Sequence, residues 1–283
     1  MKIPPLNLPS SFPKSLDELT GKIPDNMKTV SVERRHILTI THAVPAPRVL
    51  EKLPALPANL ALDTLKINGE NCALVQSVLM LNDNFRYTPL PMPNLDFWQL
   101  DFRVLVRENE TSSTRSSVRG AWNYQTFVGT RVAWALGRAI AGEATYADFN
   151  VIVRGAPGHE YAALIADIVI DNQATTQFAV SAIDDKPFAA PFANWTKMTE
   201  FLIERPRIWS RFSVGEKVGS MTLEQPTSNP MAVQFMPVGG EIREARFALW
   251  ESTGLMSASD MRRPFSVLLQ PHLSVVLSSP TLT

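Results

Sequence analysis

The chain has 283 residues, 45% of them hydrophobic and 19% charged, and its 27 Lys and Arg balance 27 Asp and Glu. That length permits a core of ordinary size and stays within reach of one all-β or barrel domain. A formal net charge of zero gives no electrostatic footprint for DNA or RNA and no basic excess for an anionic membrane, so neither partner is predicted.

The lone cysteine, Cys72, rules out an intrachain disulfide and fits a reducing cytoplasm. CxxC and Cys/His zinc spacings are absent. The opening MKIPPLNLPSSFPKSL has no apolar core of signal-peptide length. No apolar run reaches the ~18 residues of a transmembrane helix. These features predict a soluble, cytoplasmic protein.

In chain order, residues 1–26 carry Pro4, Pro5, Pro9, Pro13 and Pro24. Proline fixes φ and removes amide donors, so the segment predicts an N-terminal extension without regular structure, followed by a single domain over 27–283. VSVERRHILTITHAV, from Val30, mixes β-branched and polar residues and predicts a strand. PAPRVLEKLP predicts a short helix with proline in its first turn and another at its end.

Strand signals dominate thereafter: 61–67, CALVQSVLML at 72–81, FWQLDFRVLVRE at 97–108, and VRGAWNYQTFV at 118–128 after the polar loop NETSSTRSS. FNVIVRG and EYAALIADIVI flank the turn Ala156-Pro157-Gly158-His159, and TTQFAVSAI follows at 175–183. RIWSRFS, VGSMTLEQ, MAVQFMPV, ARFALWES and SVLLQPHLSVVL complete the set, and GGE at 239–241 reads as a hairpin turn. About a dozen strands with few helices place the fold in the α+β class, mostly antiparallel β, with a closed or strongly curled sheet.

Two stretches break the β pattern. In GTRVAWALGRAIAG, Val128, Val132, Leu136 and Ile140 recur every four residues and predict a helix with one buried stripe, capped by Gly142. NWTKMTEFLIERP predicts a helix with Asn194 as N-cap and Pro206 as its stop.

Several constellations carry chemistry. Alternation along FWQLDFRVLVR puts Phe97, Gln99, Asp101, Arg103 and Leu105 on one face and Trp98, Leu100, Phe102 and Val104 on the other. The second set is a core face; the first either lines a polar cavity or meets water. Trp122 and Tyr124 share a strand face and read first as core, although a tyrosine hydroxyl also serves a carbonyl or carboxylate ligand. Glu204 and Arg205 predict structural ion pairs near a helix end. His36 and His42, six apart, share a face of a straight strand but do not bind a metal unaided, so no metal site is predicted. His159 falls in a turn, and the role of His272 is open. No G-x-S-x-G elbow, GxGxxG fingerprint or Walker A loop occurs, and no cofactor is predicted. Cys72 reads as a buried, inert thiol.

The order of these signals resembles a bacterial family of uncharacterised proteins related to acetoacetate decarboxylase. VPAPRVLEKLP with LALDTL after it, RYTPLPMPNLDFWQLDFRVLVR, RGAWNYQT, GRAIAGEATYAD and FLIERPRIWS carry the resemblance, over roughly residues 30–215. It implies an acetoacetate decarboxylase-like β cone or barrel with a few short helices around a central pocket. It also implies pocket positions for Gln99, where the family has a glutamate, and for Arg103.

Acetoacetate decarboxylase works through a lysine whose Schiff base accepts the electrons released with carbon dioxide. That lysine follows a G-R-E-x-x-G-x-P-K-K motif. Gly137, Arg138 and Gly142 match it here, while Ala144, Thr145 and Tyr146 stand where the proline and the paired lysines fall. Independently, no lysine occurs between Lys66 and Lys186, and every cation in that span is an arginine. Arginine stays protonated and binds carboxylates bidentately but makes no Schiff base at ordinary pH.

The resemblance and the missing lysine together predict a protein that is not a decarboxylase. The leading expectation is a binder of a small carboxylate- or carbonyl-containing molecule, with Gln99, Arg103, Tyr124, Arg138, Glu143 and Tyr146 around it. Two alternatives stand beside it. One is a lyase or hydrolase-like enzyme acting on a small oxoacid, with Glu143, Tyr146 or Arg103 as acid, base or anion holder. The other is a structural or homo-oligomeric protein whose cavity is filled by side chains. The stretch GRAIAGEATYAD is then either a pocket rim or simply a helix end with a solvated loop.

Overall fold

The computed structural model describes residues 29–88, 94–109, 118–141, 144–156, 159–170, 173–183, 185–211, 218–224, 238–278 and 281–282. The expected N-terminal extension, most of the loop after Asn109, the Gly142 cap and nearly all of MAVQFMPV lie outside the described residues.

The chain runs β1 (Thr29–Pro45), α1 (Ala46–Lys52), β2 (Leu60–Leu62), β3 (Thr64–Ile67), β4 (Glu70–Tyr87), β5 (Leu95–Glu108) and β6 (Arg119–Val128). Then come α2 (Arg131–Ala141), β7 (Ala144–Tyr146), β8 (Asp148–Ala156), β9 (His159–Ile170), β10 (Gln173–Ile183) and α3 (Trp195–Ile203). It closes with β11 (Arg207–Arg211), β12 (Val218–Glu224), β13 (Val238–Phe247), α4 (Ala248–Ser252), α5 (Ala258–Met261), β14 (Ser266–Ser278) and β15 (Thr281–Leu282). The mostly antiparallel β class expected from the sequence is what the chain adopts.

One sheet carries the path β15-β12-β11-β6-β5-β4-β1-β14-β13-β10-β9-β8. The path is open at its ends, but β12 also pairs with β14, through Leu223 opposite Leu277 and Glu224 opposite Val276. That contact draws β14, β1, β4, β5, β6, β11 and β12 into a cone-like ring. Neighbours in it are antiparallel except β6 and β11, which run parallel. The strands β13, β10, β9 and β8 continue past β14 and fold back over the outside of the ring.

The main core lies between these layers. Leu100, Phe102 and Val104 of β5 meet Leu164, Ala166 and Ile168 of β9 and Phe178 and Val180 of β10. Phe102 stands edge-on to Phe127, Phe247 and Trp250, with ring centroids 5.9, 6.2 and 5.1 Å away, the arrangement that aromatic quadrupoles favour. Trp250 donates its indole N–H to Ser77 Oγ at 3.0 Å, so burial leaves that group satisfied.

A second cluster closes one end of the ring, where Trp195, Met198 and Leu202 of α3 cover Leu74, Leu105, Ala121 and Leu268. Asn194 caps this helix as its position suggested, its side-chain oxygen accepting from the Lys197 amide at 2.9 Å.

Two irregularities decide what faces the inside of the ring. In β1 the register shifts between Arg35 and Leu38, with His36 at φ 51°. Val30, Val32 and Arg34 line the interior before this bulge, whereas Leu38, Ile40 and Val44 enter the outer core after it. In β6 the register shifts against β5, so Asn123 is opposite Arg103 and Gln125 opposite Phe102. An extra residue in one strand reverses which parity points inward. The straight strand assumed for His36 and His42 is therefore absent.

Three further expectations are corrected. GGE is not a turn: Gly239 and Gly240 sit within β13, opposite Ile183 and Ala182 of β10. A Cβ on Gly239 would fall 2.7 Å from the Asp185 carbonyl, and one on Gly240 would fall 2.7 Å from Val267. These glycines are therefore used for close packing. ARFALWES is not one strand, because β13 ends at Phe247 and ALWES turns into α4. The helix α2 forms as expected, but its buried stripe is offset: Val132 is 52% exposed while Ala133 is buried. Ala133, Leu136 and Gly137 face the ring interior instead.

Candidate functional site

The interior of the ring holds a cavity of about 110 Å³. Strands β1, β4, β5, β6, β11 and β14 form its wall, and Ala133, Leu136 and Gly137 of α2 with Ala144 of β7 lie at one end. Gly137 is required there, since a Cβ would sit 2.9 Å from that of Ala144. The stretch GRAIAGEATYAD thus borders the cavity through Gly137 and Ala144.

Much of the wall is apolar, from Val30, Val32, Phe85, Phe97 and Val128. Against it stands a polar chain. Asn82 Nδ2 donates to Gln99 Oε1 at 2.9 Å. Gln99 Nε2 in turn donates to both oxygens of Asp101 at 2.9 and 3.0 Å. Thr126 Oγ1 donates to Asp101 Oδ1 at 2.8 Å. The Asn82 bond and the acceptor-only carboxylate together fix the orientation of the Gln99 amide.

Arg34 is the unusual member. It lines the cavity and is only 8% exposed. Its Nε is buried without a hydrogen-bond partner, and none of the described ion pairs includes it. Burial lowers its pKa, and the nearby charge of Asp101 opposes that shift. A buried guanidinium with empty donors is costly unless an acceptor reaches it. Asn123 contributes a second orphan, its side-chain oxygen buried with no donor.

Beyond the cavity, Arg103 donates from Nε to Gln76 Oε1 at 2.8 Å, and Gln76 donates to the Leu202 carbonyl at 3.1 Å and Thr41 Oγ1 at 3.2 Å. Burial pushes Arg103 down to about 10; Asp101 opposes this, while Arg34 and Arg205 add to it. It therefore remains a cation at neutral pH. Among the described residues, the fully buried charges are Arg34, Arg103 and Arg205 against Asp63 and Asp101, leaving one positive charge in excess.

The residues singled out from the sequence divide by position. Gln99 lines the cavity, and its amide is already engaged with Asn82 and Asp101. Arg103 shares the inward face of β5 but lies behind the lining, tied to Gln76. Tyr124 borders the cavity, yet its hydroxyl donates to the Pro54 carbonyl at 3.2 Å, and burial raises its pKa despite the Arg211 charge. Tyr146 is not part of the lining: its hydroxyl donates to Asp148 at 2.7 Å and the Arg131 guanidinium stands 5.7 Å from its ring centre. Glu143 and the side chain of Arg138 lie outside the described residues.

Sequence reasoning missed Arg34, Asn82, Asn123 and Thr126, and it placed Asp101 on the right face without singling it out. The signal for Arg34 was present in Val30-x-Val32-x-Arg34, an arginine continuing an apolar alternation. No lysine is among the described residues that line the cavity.

No protein-family model and no curated protein matches the sequence. Solved structures do match the fold. Acetoacetate decarboxylase from Legionella pneumophila superposes with a TM-score of 0.59 at 12% identity, covering 98% of each chain. An acetoacetate decarboxylase-like enzyme from Sphingomonas wittichii RW1 gives 0.54 at 8% identity, covering 92% of this chain and 94% of its own. The enduracididine biosynthesis enzyme MppR, complexed with pyruvate, gives 0.51 at 11% identity, covering 90% of each. With its cone-like ring, few short helices and interior cavity, this chain has the acetoacetate decarboxylase-like fold that its sequence resembles.

Proposed function

We propose that this protein binds a small carboxylate-bearing molecule inside the ring and does not decarboxylate acetoacetate. The observation that carries the reading is Arg34: a buried guanidinium, short of acceptors, facing a cavity. A ligand carboxylate supplies those acceptors in bidentate geometry and also offsets the excess buried positive charge. At ~10–15 Å³ per water-sized probe, the cavity takes a ligand on the order of eight non-hydrogen atoms. MppR, a structural neighbour, is a pyruvate-binding protein of this fold, and pyruvate carries a carboxylate and a ketone within that size.

The absence of lysine from the described lining supports the second half of the reading, because an arginine cannot replace the Schiff-base amine. Thr145 and Tyr146, standing where the resemblance puts the lysines, are not among the described residues that line the cavity. A role as a purely structural protein is less well supported, since the described side chains do not fill the space. No helix among the described residues is long and apolar enough to cross a membrane. With one unpaired cysteine, we extend the proposal to a cytoplasmic location.

Calorimetric titration of the full chain with propionate, pyruvate and acetoacetate tests this. Binding by at least one acid, weakened about tenfold or more in Arg34→Gln, is the expected result. Borohydride treatment with acetoacetate should leave no adduct. A trapped adduct on any lysine, or acid binding indifferent to Arg34→Gln, overturns the proposal.

A further inference from the structure

We infer that the ligand of this cavity is a monocarboxylic acid with an unbroken hydrocarbon tail, and that α2 sets the length of that tail. The inference rests on the carboxylate reading above and deepens it, because it concerns the other end of the ligand. The two ends of the cavity differ in chemistry. At the α2 end, Leu136 packs against the cluster of Val30, Val32 and Leu277, while Ala133 clusters with Phe97 and Val128. Phe85 packs on both groups and stands edge-on to Phe97, with ring centroids 5.4 Å apart, so the two join into one apolar end. All of these residues line the cavity, and none has a side-chain donor or acceptor.

The polar groups begin where that end stops. The β5–β6 register gives their order: Gln99 opposite Val128, then Asp101 opposite Thr126, then Gln125 and Asn123 farther from α2. Arg34 feels the charge of Asp101 and belongs with this half. Asn123 and Gln125 donate in none of the described hydrogen bonds, so their amides are free to join Arg34 at a carboxylate.

A ligand that fills the cavity therefore puts its charge at one end and hydrocarbon at the other. A second polar group buried against Leu136 and Phe85 loses its hydration with no hydrogen bond in return. Each methylene placed there is instead a gain in apolar burial. The buried charges agree: three fully buried arginines against two fully buried aspartates are neutralised by a mono-anion. On the order of eight non-hydrogen atoms, the capacity reached above, is the size of hexanoate.

The test titrates acetate, butyrate, hexanoate, octanoate and decanoate, together with succinate, calorimetrically into the full chain. Affinity should rise about three- to fourfold per methylene, peak at about six carbons and fall beyond. Succinate matches hexanoate in non-hydrogen atoms but carries a second carboxylate, so it should bind about tenfold more weakly, or worse. Leu136→Ala lengthens the apolar end and should move the peak to longer acids. Ala133→Leu shortens it and should move the peak to shorter ones; if that variant fails to fold, Leu136→Ala decides alone. Arg34→Gln should weaken every acid of the series, which separates binding in the cavity from adsorption to the surface. Affinity independent of chain length, succinate as tight as hexanoate, or a peak unmoved in Leu136→Ala overturns the inference and leaves the carboxylate reading standing. If no acid binds, or if Arg34→Gln has no effect, the carboxylate reading fails and takes this inference with it.

Discussion

Asp63 and Arg205 are separated by 142 residues of chain, yet Oδ2 of one lies 2.6 Å from Nη1 of the other, with side chains 5% and 2% exposed. Asp63 sits between β2 and β3, and Arg205 just past the end of α3. Arg119 of β6 approaches the same Asp63 oxygen at 3.4 Å, and both guanidinium groups stand over the Phe201 ring, 4.8 and 4.5 Å from its centre. The pair therefore fastens the helix that plugs one end of the ring to the β2–β3 segment. Burial lowers the Arg205 pKa and Asp63 opposes the shift. Removing one partner strands the other charge, so Arg205→Ala or Asp63→Asn should each cost roughly 3–5 kcal/mol. Urea unfolding measures this. The double variant Asp63→Asn/Arg205→Ala should cost clearly less than the two single changes summed, and strict additivity would show that the two groups do not act as a pair.

Gly120 marks where β6 and β11 run side by side. A Cβ there would lie 2.2 Å from the Arg207 carbonyl oxygen and 2.3 Å from the Trp209 ring. Neither neighbour is the loose end of a flexible side chain. Gly120→Ala should therefore push β11 away from the ring and destabilise the protein by about 1–3 kcal/mol, read from the thermal midpoint. Because Ile208, Ser210 and Arg211 of β11 line the cavity, the same variant should also weaken ligand binding. A variant with unchanged midpoint and affinity would show that the strand contact relaxes freely.

Strand content, the curled sheet and the capped α3 were legible in the sequence because hydrophobic alternation and capping are local signals. The alternation of β5 was legible to the residue: Leu100, Phe102 and Val104 enter the core, and Gln99 and Asp101 face the cavity. What escaped depends on bulges. The shift near His36 reverses the parity of β1, so Arg34 and Leu38, four apart, face opposite sides of the sheet. The shift in β6 likewise turns both Asn123 and Thr126 inward. No composition rule marks these extra residues, because their register is set by the partner strand. Tyr146 was drawn to the site by its place in a motif, whereas its geometry is set by Asp148 and Arg131. The paired glycines of β13 carried the signature of a turn but serve close packing between strands.

His42 should make stability depend on pH. Its Nε2 lies 3.0 Å from the Met261 carbonyl, to which it donates, and its Nδ1 is buried without a partner. Burial lowers the pKa, with the Met261 carbonyl and Asp260 opposing. The folded value thus lies below the unfolded one of about 6.5, and in mildly acid solution the unfolded chain binds more protons. The contribution of neutral His42 is therefore complete above about pH 6.5 and is lost as pH falls through the lower folded value. Thermal midpoints should drop between pH 7 and pH 5 in the wild type. In His42→Phe the drop should be shallower, although the variant is less stable at pH 7 because the Met261 carbonyl loses its donor. Parallel pH profiles for the two proteins would rule His42 out as the source.

Arg34 offers the sharpest separation of stability from function. In the unliganded protein its guanidinium pays desolvation without a matching acceptor, and the neighbouring Val30, Val32 and Leu277 make its surroundings largely apolar. Methionine has nearly the same reach, no charge and enough flexibility to pack into that wall. Replacing buried ionic groups by apolar residues of similar volume is commonly neutral or stabilising. Arg34→Met should therefore raise unfolding stability by about 1–2 kcal/mol while abolishing acid binding, the exchange expected where a site stores strain for its ligand. Ligand titration and urea unfolding of the same preparation measure both sides. If Arg34→Met is destabilised by several kcal/mol, then the guanidinium is a structural support and the cavity was built around it for folding, not for recognition.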